Sequence, residues 1–216
     1  TFPEKIEQIA QRIMQTPEVI KVESTHDTSS IAQYFYKVEG SEARDEALAN
    51  LLLTHQPESA VVFCNTKKEV QSVADELHHK GFSVIDIHGD LEQRERDQAL
   101  VQFANKSVSI LVATDVAARG LDVDNLDAVF NFELSRDPEV HVHRIGRTGR
   151  AGAKGEAISL VSKDDFKNLC MIESRLGHLL ERVEIEGFAP RKPVPISILN
   201  YVPKNKRKPH DKRESK

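Results

Sequence analysis

Short apolar runs alternate with amphipathic stretches between residues 33 and 161, and this alternation predicts the secondary structure. Four of the six candidate strands are nearly continuous in apolar residues, which is typical of strands buried on both faces of a parallel sheet. The predicted strands are residues 33–38, 60–64, 83–87, 109–113, 127–132 and 156–161. Because strands and helices alternate, we expect an α/β fold, a doubly wound parallel sheet with helices on both faces and right-handed crossovers.

The segments between these strands carry apolar residues at helical spacing. Thr66 with Glu69 can form a capping box at the start of one helix. Asp90 with Gln93 can do the same for another, and Asp137, which precedes a proline, is typical of an N-cap. The predicted apolar faces are Ala47, Leu48, Leu51 and Leu52, then Val70, Val73, Ala74 and Leu77, then Leu91, Ala99, Leu100 and Phe103, and finally Phe166, Leu169, Ile172, Leu176 and Leu179.

The ends of the chain differ from its middle. Residues 1–23 combine an amphipathic helical pattern with a short apolar run, and we interpret them as the end of a preceding domain. Residues 24–30 are polar and without periodicity, which predicts a linker. The main domain is then residues 31–189, and residues 190–216 form a basic tail in which several prolines argue against a long helix.

The composition suits a globular protein rather than a disordered chain, with 39% hydrophobic and 30% charged residues among 216. No apolar run approaches the roughly 18–20 residues that a membrane span needs, and the first residues lack the pattern of a signal peptide. Cys64 and Cys170 lie far apart, each in an apolar run. This favours reduced core thiols over a disulfide or a zinc site. We therefore expect a cytoplasmic protein with no metal ligands and no membrane partner.

The net charge of −4 conceals an asymmetry along the chain. Residues 191–216 hold nine of the 30 Lys and Arg residues and two of the 34 Asp and Glu residues, a net charge of +7. The rest keeps 21 basic and 32 acidic residues, a net charge of −11. A basic tail on an acidic body indicates attraction to a polyanion, and a solvated linker is the alternative interpretation.

The string HRIGRTGRAG, residues 143–152, is the strongest functional signal. Arg147 and Arg150 lie three residues apart with Gly149 between them. Guanidinium groups at this spacing can converge on one polyphosphate, and glycine lets the backbone approach it. A surface turn paired with acidic neighbours is the structural alternative, but the ten residues taken together favour phosphate binding.

The string LVATDVAARGLDV, residues 111–123, contains further candidate ligand-binding residues at the end of a predicted strand. Thr114 offers a hydroxyl at the carboxyl end of that strand, where ligands bind in doubly wound sheets. Asp122 can accept hydrogen bonds from a ribose, and Gly120 supplies flexible backbone. Thr114 or Asp115 as the N-cap of a short helix, with Gly120 as its C-cap, are structural roles that are compatible with these functions.

Two further strings, HGDLEQRERD and VVFCNTKKE, also come directly after or at the end of predicted strands. Gly89 can let a phosphate approach the N-terminus of the following helix. Gln93 and Arg96 lie one turn apart on one face of that helix, and a solvated charged face is the alternative for them. Thr66 is first of all a capping residue.

In this order, the four strings resemble those of the second RecA-like domain of DEAD-box ATP-dependent RNA helicases, over about residues 30–180. HRIGRTGR is similar to motif VI of that family, TDVAARGLD to motif V, VVFCNT to motif IV, and HGDLEQRER to its HGxxxQxxR segment. TFPEKI resembles the residues that follow the family's SAT motif. CNTKKE, HGDLEQR and DPEVHVHRIGRT are also similar to the bacterial subfamily activated by 23S ribosomal RNA, which implies a ribosomal RNA partner and ribosome biogenesis.

The resemblance implies a RecA-like fold in which ATP lies between two such domains and RNA runs across both. It assigns Arg147 and Arg150 to the γ-phosphate as arginine fingers, and His143 to contacts that couple ATP to closure. It assigns Gly120 and Asp122 to the ribose side of the ATP site. The RNA contacts that it implies, to single strands or to a duplex, are Thr66, Gly89, Gln93, Arg96 and Thr114.

The sequence departs from the family in having neither a GxxxxGK[ST] loop nor a DEAD box. We therefore expect half of a two-domain ATPase that is inactive alone, with Mg²⁺ held mainly by an N-terminal RecA-like domain outside this sequence. Arg144 is expected to tie its motif to the rest of the interface rather than to phosphate. An RNA-binding module without catalysis and a fragment of a superfamily 2 DNA helicase or translocase stay open as alternatives. A small-molecule Rossmann enzyme is disfavoured because no GxGxxG follows a strand.

Overall fold

The computed structural model describes residues 30–119, 123–149, 154–185 and 188, apart from the side chains of residues 41 and 42. Its strands are β1 (Ile31–Lys37), β2 (Ala60–Cys64), β3 (Val84–Ile87), β4 (Ile110–Thr114), β5 (Ala128–Asn131), β6 (Gly155–Val161) and β7 (Arg182–Glu184). They form one sheet in the order β3-β4-β2-β5-β6-β1-β7, and every pairing is parallel. All the carboxyl ends therefore meet at one edge.

Helices connect the strands as the hydrophobic pattern predicts. They are α1 (Gly40–His55), α2 (Lys67–His79), α3 (Gln93–Ala104), α4 (Asp115–Ala118), α5 (Pro138–Ile145) and α6 (Phe166–Leu176), with a 3₁₀ turn at Lys163–Asp165. The six predicted strands are confirmed with boundaries shifted by one or two residues at most.

The core lies on both faces of the sheet, which confirms the doubly wound architecture. On one face, α1 and α2 pack on alternate strand residues such as Val62 and Phe130. On the other face, α3 and α4 pack on the intervening residues, such as Phe63 and Val129. Burial on both sides explains why these strands are apolar throughout instead of alternating with polar residues.

Two of the predicted N-caps are confirmed. Thr66 caps α2, because its Oγ1 accepts a hydrogen bond from the Glu69 amide at 3.2 Å. Asp137 caps α5, because its carboxylate accepts one from the Glu139 amide at 2.9 Å.

The capping box predicted for Asp90 and Gln93 is wrong. The N-cap of α3 is Glu92, whose amide donates to Oε2 of Glu95 at 2.8 Å in a reciprocal box. The Asp90 carboxylate is instead bound to Lys67 Nζ at 2.7 Å. The reciprocal bonds of Glu92 and Glu95 fix the first turn, so the helix begins later than the sequence pattern indicated.

The C-terminal part of the domain also differs from expectation. Helix α6 ends at Leu176, because Gly177 takes a left-handed backbone with φ of 75°. Leu179, which was predicted to lie on the apolar face of α6, is consequently beyond the helix and 49% exposed. Leu180 is buried in its place. The chain then adds β7, which the sequence analysis missed, as a parallel edge strand beside β1.

Both predicted core thiols are buried and free. Burial raises the pKa of the Cys64 thiol well above its usual value, and it also raises the pKa of Cys170. Among the described residues, none of the helices is long and apolar enough to cross a bilayer. The predicted preceding segment (1–23), the linker (24–30, except Ser30) and the basic tail (190–216) lie outside the described residues, and these assignments stay predictions.

Candidate functional site

The Arg144 side chain, near the end of α5, lies at the centre of the site and is only 2% exposed. Its Nε and Nη2 donate to the two carboxylate oxygens of Asp115, at 2.6 and 2.7 Å. Nη2 also donates to Asn65 Oδ1 at 2.9 Å. Nη1 donates to Asn131 Oδ1 at 3.2 Å and to the Glu133 carbonyl at 2.7 Å. A guanidinium has five N–H donors, so these five bonds use all of them.

The partners of Arg144 follow or belong to β2, β4 and β5, which are neighbours in the sheet. The guanidinium also lies over the Phe63 ring, 5.1 Å from its centroid. One buried cation therefore ties together the ends of three strands and has no donor left for a ligand. The structure agrees with the expectation that Arg144 does not bind phosphate, and its expected role at the interface stays a prediction.

A small cleft of about 40 Å³ lies between α4 and α5, and His143 and Arg147 contribute to its lining. Arg119 and Arg144 line it as well. Among the described lining residues Asp115 is the one carboxylate, and both of its oxygens are already bound by Arg144. The cleft thus carries an excess of positive charge and attracts anions.

Arg147 is held at this cleft by its backbone and by its side chain. Its carbonyl accepts a hydrogen bond from the Leu126 amide at 3.1 Å, and the following residue, Thr148, forms a parallel bridge with Leu126. Its Nη1 donates to Asp124 Oδ1 at 3.1 Å, and both side chains are 24% exposed. Arg147 therefore stays accessible while its position is fixed. Asp124 is a site residue that the sequence analysis missed.

Three of the predicted site residues, Gly120, Asp122 and Arg150, lie outside the described residues. The convergence of Arg147 with Arg150 and the ribose contacts of Gly120 and Asp122 stay predictions.

The residues predicted to contact RNA come together at the carboxyl edge of the sheet. Thr66, Gly89 and Thr114 follow or end β2, β3 and β4, which are neighbours. The two threonines cap their helices, and Thr114 Oγ1 accepts from the Ala117 amide at 3.2 Å. Gly89 is exposed, and a Cβ built on it would have no atom within 4 Å. This edge therefore presents hydroxyls and accessible backbone.

Gln93 and Arg96 on α3 have different surroundings. Gln93 is exposed, and its Nε2 donates to Asp97 Oδ1 at 2.7 Å. Arg96 is half-buried, and its Nη2 donates to the Ala117 carbonyl at 3.3 Å, which joins α3 to α4. Its buried Nε finds no hydrogen-bond partner within the described part of the chain. Arg96 is thus positioned beside the Thr114 turn, whereas Gln93 stays on the exposed side of α3.

The geometry can be compared with known proteins. A family model, the helicase conserved C-terminal domain, matches residues 43–152. The chain is 52% identical over 176 residues to the ATP-dependent RNA helicase DbpA of Escherichia coli K12, which covers 82% of this chain and 38% of the relative. It is 37% identical over 210 residues to DbpA of Bacillus subtilis 168, covering 96% of this chain and 44% of the relative.

A solved structure of the E. coli DEAD-box protein SrmB, bound to regulator of ribonuclease activity A, superposes with a TM-score of 0.72 at 33% identity. The match covers 76% of this chain and 97% of that one. The chain is a helicase C-terminal domain of the DEAD-box family. The RecA-like fold expected from the sequence is thereby confirmed, and the narrower resemblance to the ribosomal RNA-activated subfamily fits the DbpA relatives. This DEAD-box domain spans less than half of the two DbpA relatives that it matches.

Proposed function

We propose that this DEAD-box domain is the C-terminal half of an ATP-dependent RNA helicase and that it completes a nucleotide site whose other wall belongs to a first RecA-like domain. The observation that carries the proposal is the cationic cleft between α4 and α5, in which His143, Arg119 and Arg147 face one carboxylate that is already neutralised. A polyphosphate is the ligand that such a cleft suits best.

In this proposal, ATP supplies the phosphoryl group and Arg147 stabilises the charge that develops on it. Arg150 contributes a second guanidinium, and Gly120 and Asp122 contact the ribose. His143 is exposed on α5 and couples nucleotide binding to closure of the two domains. The described cleft does not suit Mg²⁺, since Asp115 is engaged through both oxygens, so we assign the metal to the first domain.

The carboxyl edge of the sheet is the proposed RNA surface. Hydroxyls, exposed backbone amides and one arginine suit phosphate and ribose oxygens, so we infer binding of RNA without base specificity. Thr66, Gly89, Gln93, Arg96 and Thr114 are the contacts assigned to it. On the resemblance of its strings to the subfamily activated by 23S ribosomal RNA, we also propose ribosomal RNA as the physiological partner, a role in ribosome biogenesis and a cytoplasmic location.

The test is an ATPase assay of this chain alone, and of the full-length protein that joins it to a first RecA-like domain, each with single-stranded RNA. We expect hydrolysis only from the two-domain protein. Arg147→Ala should lower its turnover on the order of 10³- to 10⁵-fold, because an arginine finger is lost. Arg175→Ala is the matched control, since Arg175 is an exposed arginine that pairs with Glu139 and is not among the described residues that line the cleft.

Unchanged turnover in Arg147→Ala would remove the finger assignment. RNA binding without any ATPase would favour the RNA-binding module instead. Equal stimulation of the two-domain protein by DNA and RNA would favour the DNA helicase or translocase.

A further inference from the structure

The guanidinium of Arg147, one of those that line the cleft, forms an ion pair with the Asp124 carboxylate. Arg147 Nη1 lies 3.1 Å from Asp124 Oδ1, and within the part of the chain that the structure describes Arg147 forms no other side-chain ion pair. Asp124 comes shortly before β5, and Arg147 follows α5, so the pair connects two segments that are distant in sequence.

The backbone fixes the relative position of these two segments. The Leu126 amide donates to the Arg147 carbonyl at 3.1 Å, and the Arg147 amide donates to the Arg144 carbonyl at 3.1 Å. Thr148 is 1% exposed, and its Oγ1 donates to the carbonyls of Leu126 and Asp127. These hydrogen bonds fix the backbone of Asp124 relative to the backbone of Arg147, and the ion pair forms between two segments whose positions are already set.

The Asp124 carboxylate contacts Arg147 but does not itself line the cleft. The described residues that line the cleft include Arg147 but not Asp124. The pair engages one terminal nitrogen of a guanidinium that has five N–H groups. The pair with Asp124 therefore leaves other N–H donors of Arg147 for an anion in the cleft.

We propose that Asp124 is a positioning residue for the phosphate-directed guanidinium of Arg147. The inference rests on the proposed function, in which Arg147 acts on the γ-phosphate. Asp124 restricts the long side chain of Arg147 to one orientation before the two domains close. Less conformational entropy of Arg147 is then lost when its guanidinium stabilises the charge that develops on the γ-phosphate. Its loss should lower the turnover number more than the affinity for ATP.

The experiment measures RNA-stimulated ATPase of the full-length protein with Asp124→Asn, Asp124→Glu and Arg147→Ala, and with Asp124→Asn and Arg147→Ala combined. Glu58→Gln is the matched control, since it removes one carboxylate from the exposed pair with Lys106. We expect Asp124→Asn to lower kcat about 10- to 100-fold with KM for ATP changed less than about twofold. Asp124→Glu should recover part of the loss, and Glu58→Gln should match the parent.

The combined variant separates a positioning role from a general structural one. If Asp124 acts through Arg147, Asp124→Asn causes no further loss of kcat in the Arg147→Ala background. An unchanged or higher kcat in Asp124→Asn, or the same fractional loss in both backgrounds, overturns the inference. If Arg147→Ala itself leaves kcat unchanged, the proposed function fails first, and the two failures are thereby told apart.

Discussion

His141 makes the stability of the domain depend on pH in a way that can be worked out from its surroundings. It lies on α5, is completely buried, and its ring centroid is 6.1 Å from that of Phe35. Neither ring nitrogen has a hydrogen-bond partner among the described residues. Burial, and then the charge of Arg144, lower the pKa of His141 to about 4.

The sign follows from comparing the folded and unfolded chains. The unfolded histidine has a pKa near 6.5, so below that pH it binds a proton that the folded domain excludes. Acidification therefore favours unfolding, and the stabilisation that is present above about pH 6.5 is lost as the pH falls towards 4. Between about pH 7.5 and about pH 5 the linkage relation gives a loss of about 2 kcal/mol for this one group.

The assay is urea unfolding of the parent and of His141→Leu at these two pH values. Leucine has a similar volume and no titrating group, so the parent should lose about 2 kcal/mol more on acidification than the variant does. The variant must be compared with the parent at both pH values, because Asp45 contributes a pH dependence of stability with the opposite sign. Burial, together with Glu76 and other acidic neighbours, raises the pKa of Asp45 to about 6, which favours folding as the pH falls. Equal pH dependence in parent and variant would refute the account of His141.

Two further predictions concern arginines of the site. Arg144→Ala should destabilise the domain by about 3–5 kcal/mol in chemical denaturation, because it leaves the Asp115 carboxylate without its partner; the exposed Arg175→Ala should change stability little, and similar losses in both would contradict the central role of Arg144. Arg96→Ala should weaken binding of the full-length protein to single-stranded RNA and reduce the slope of affinity against salt by about 1. Arg94→Ala, an exposed arginine on the same helix, is the control, and an unaltered slope in Arg96→Ala would make that residue purely structural.

The strands were predictable wherever burial on both faces leaves an apolar run. Strand β2 is completely buried, and its sequence AVVFC shows this directly. Strand β7 was missed for the same physical reason. It has three residues at the edge of the sheet, only half-buried, and its sequence RVE contains two charged residues. The segment is a strand because it pairs with β1, which is distant in the sequence. The hydrophobic pattern of a segment does not show which distant strand it pairs with.

The site was only partly predictable from the sequence. The four sequence strings indicate where the chain turns after each strand, but they do not indicate which residues those turns contact. The identity of the string around Arg144 was sufficient to predict that this arginine does not bind phosphate. Asn131 gave a weaker signal: it is a fully buried polar residue in an otherwise apolar strand. Asp124 gave none, since its meeting with Arg147 depends on how α5 returns along the sheet. Contacts of this kind follow from the tertiary fold alone.

The five hydrogen bonds of Arg144 connect the proposed RNA surface to the cationic cleft. Asn65 and Asp115, which accept from the guanidinium, are the immediate neighbours of Thr66 and Thr114, two residues of the proposed RNA surface. Arg144 also lines the cleft that holds Arg147. A buried, fully satisfied guanidinium is costly to displace, because each lost bond leaves a polar group unpaired at low dielectric. A lysine has three donors on a single nitrogen and could not span these partners. The proposed RNA surface and the cationic cleft are therefore joined through one side chain, and a displacement of either would strain the bonds that hold the other.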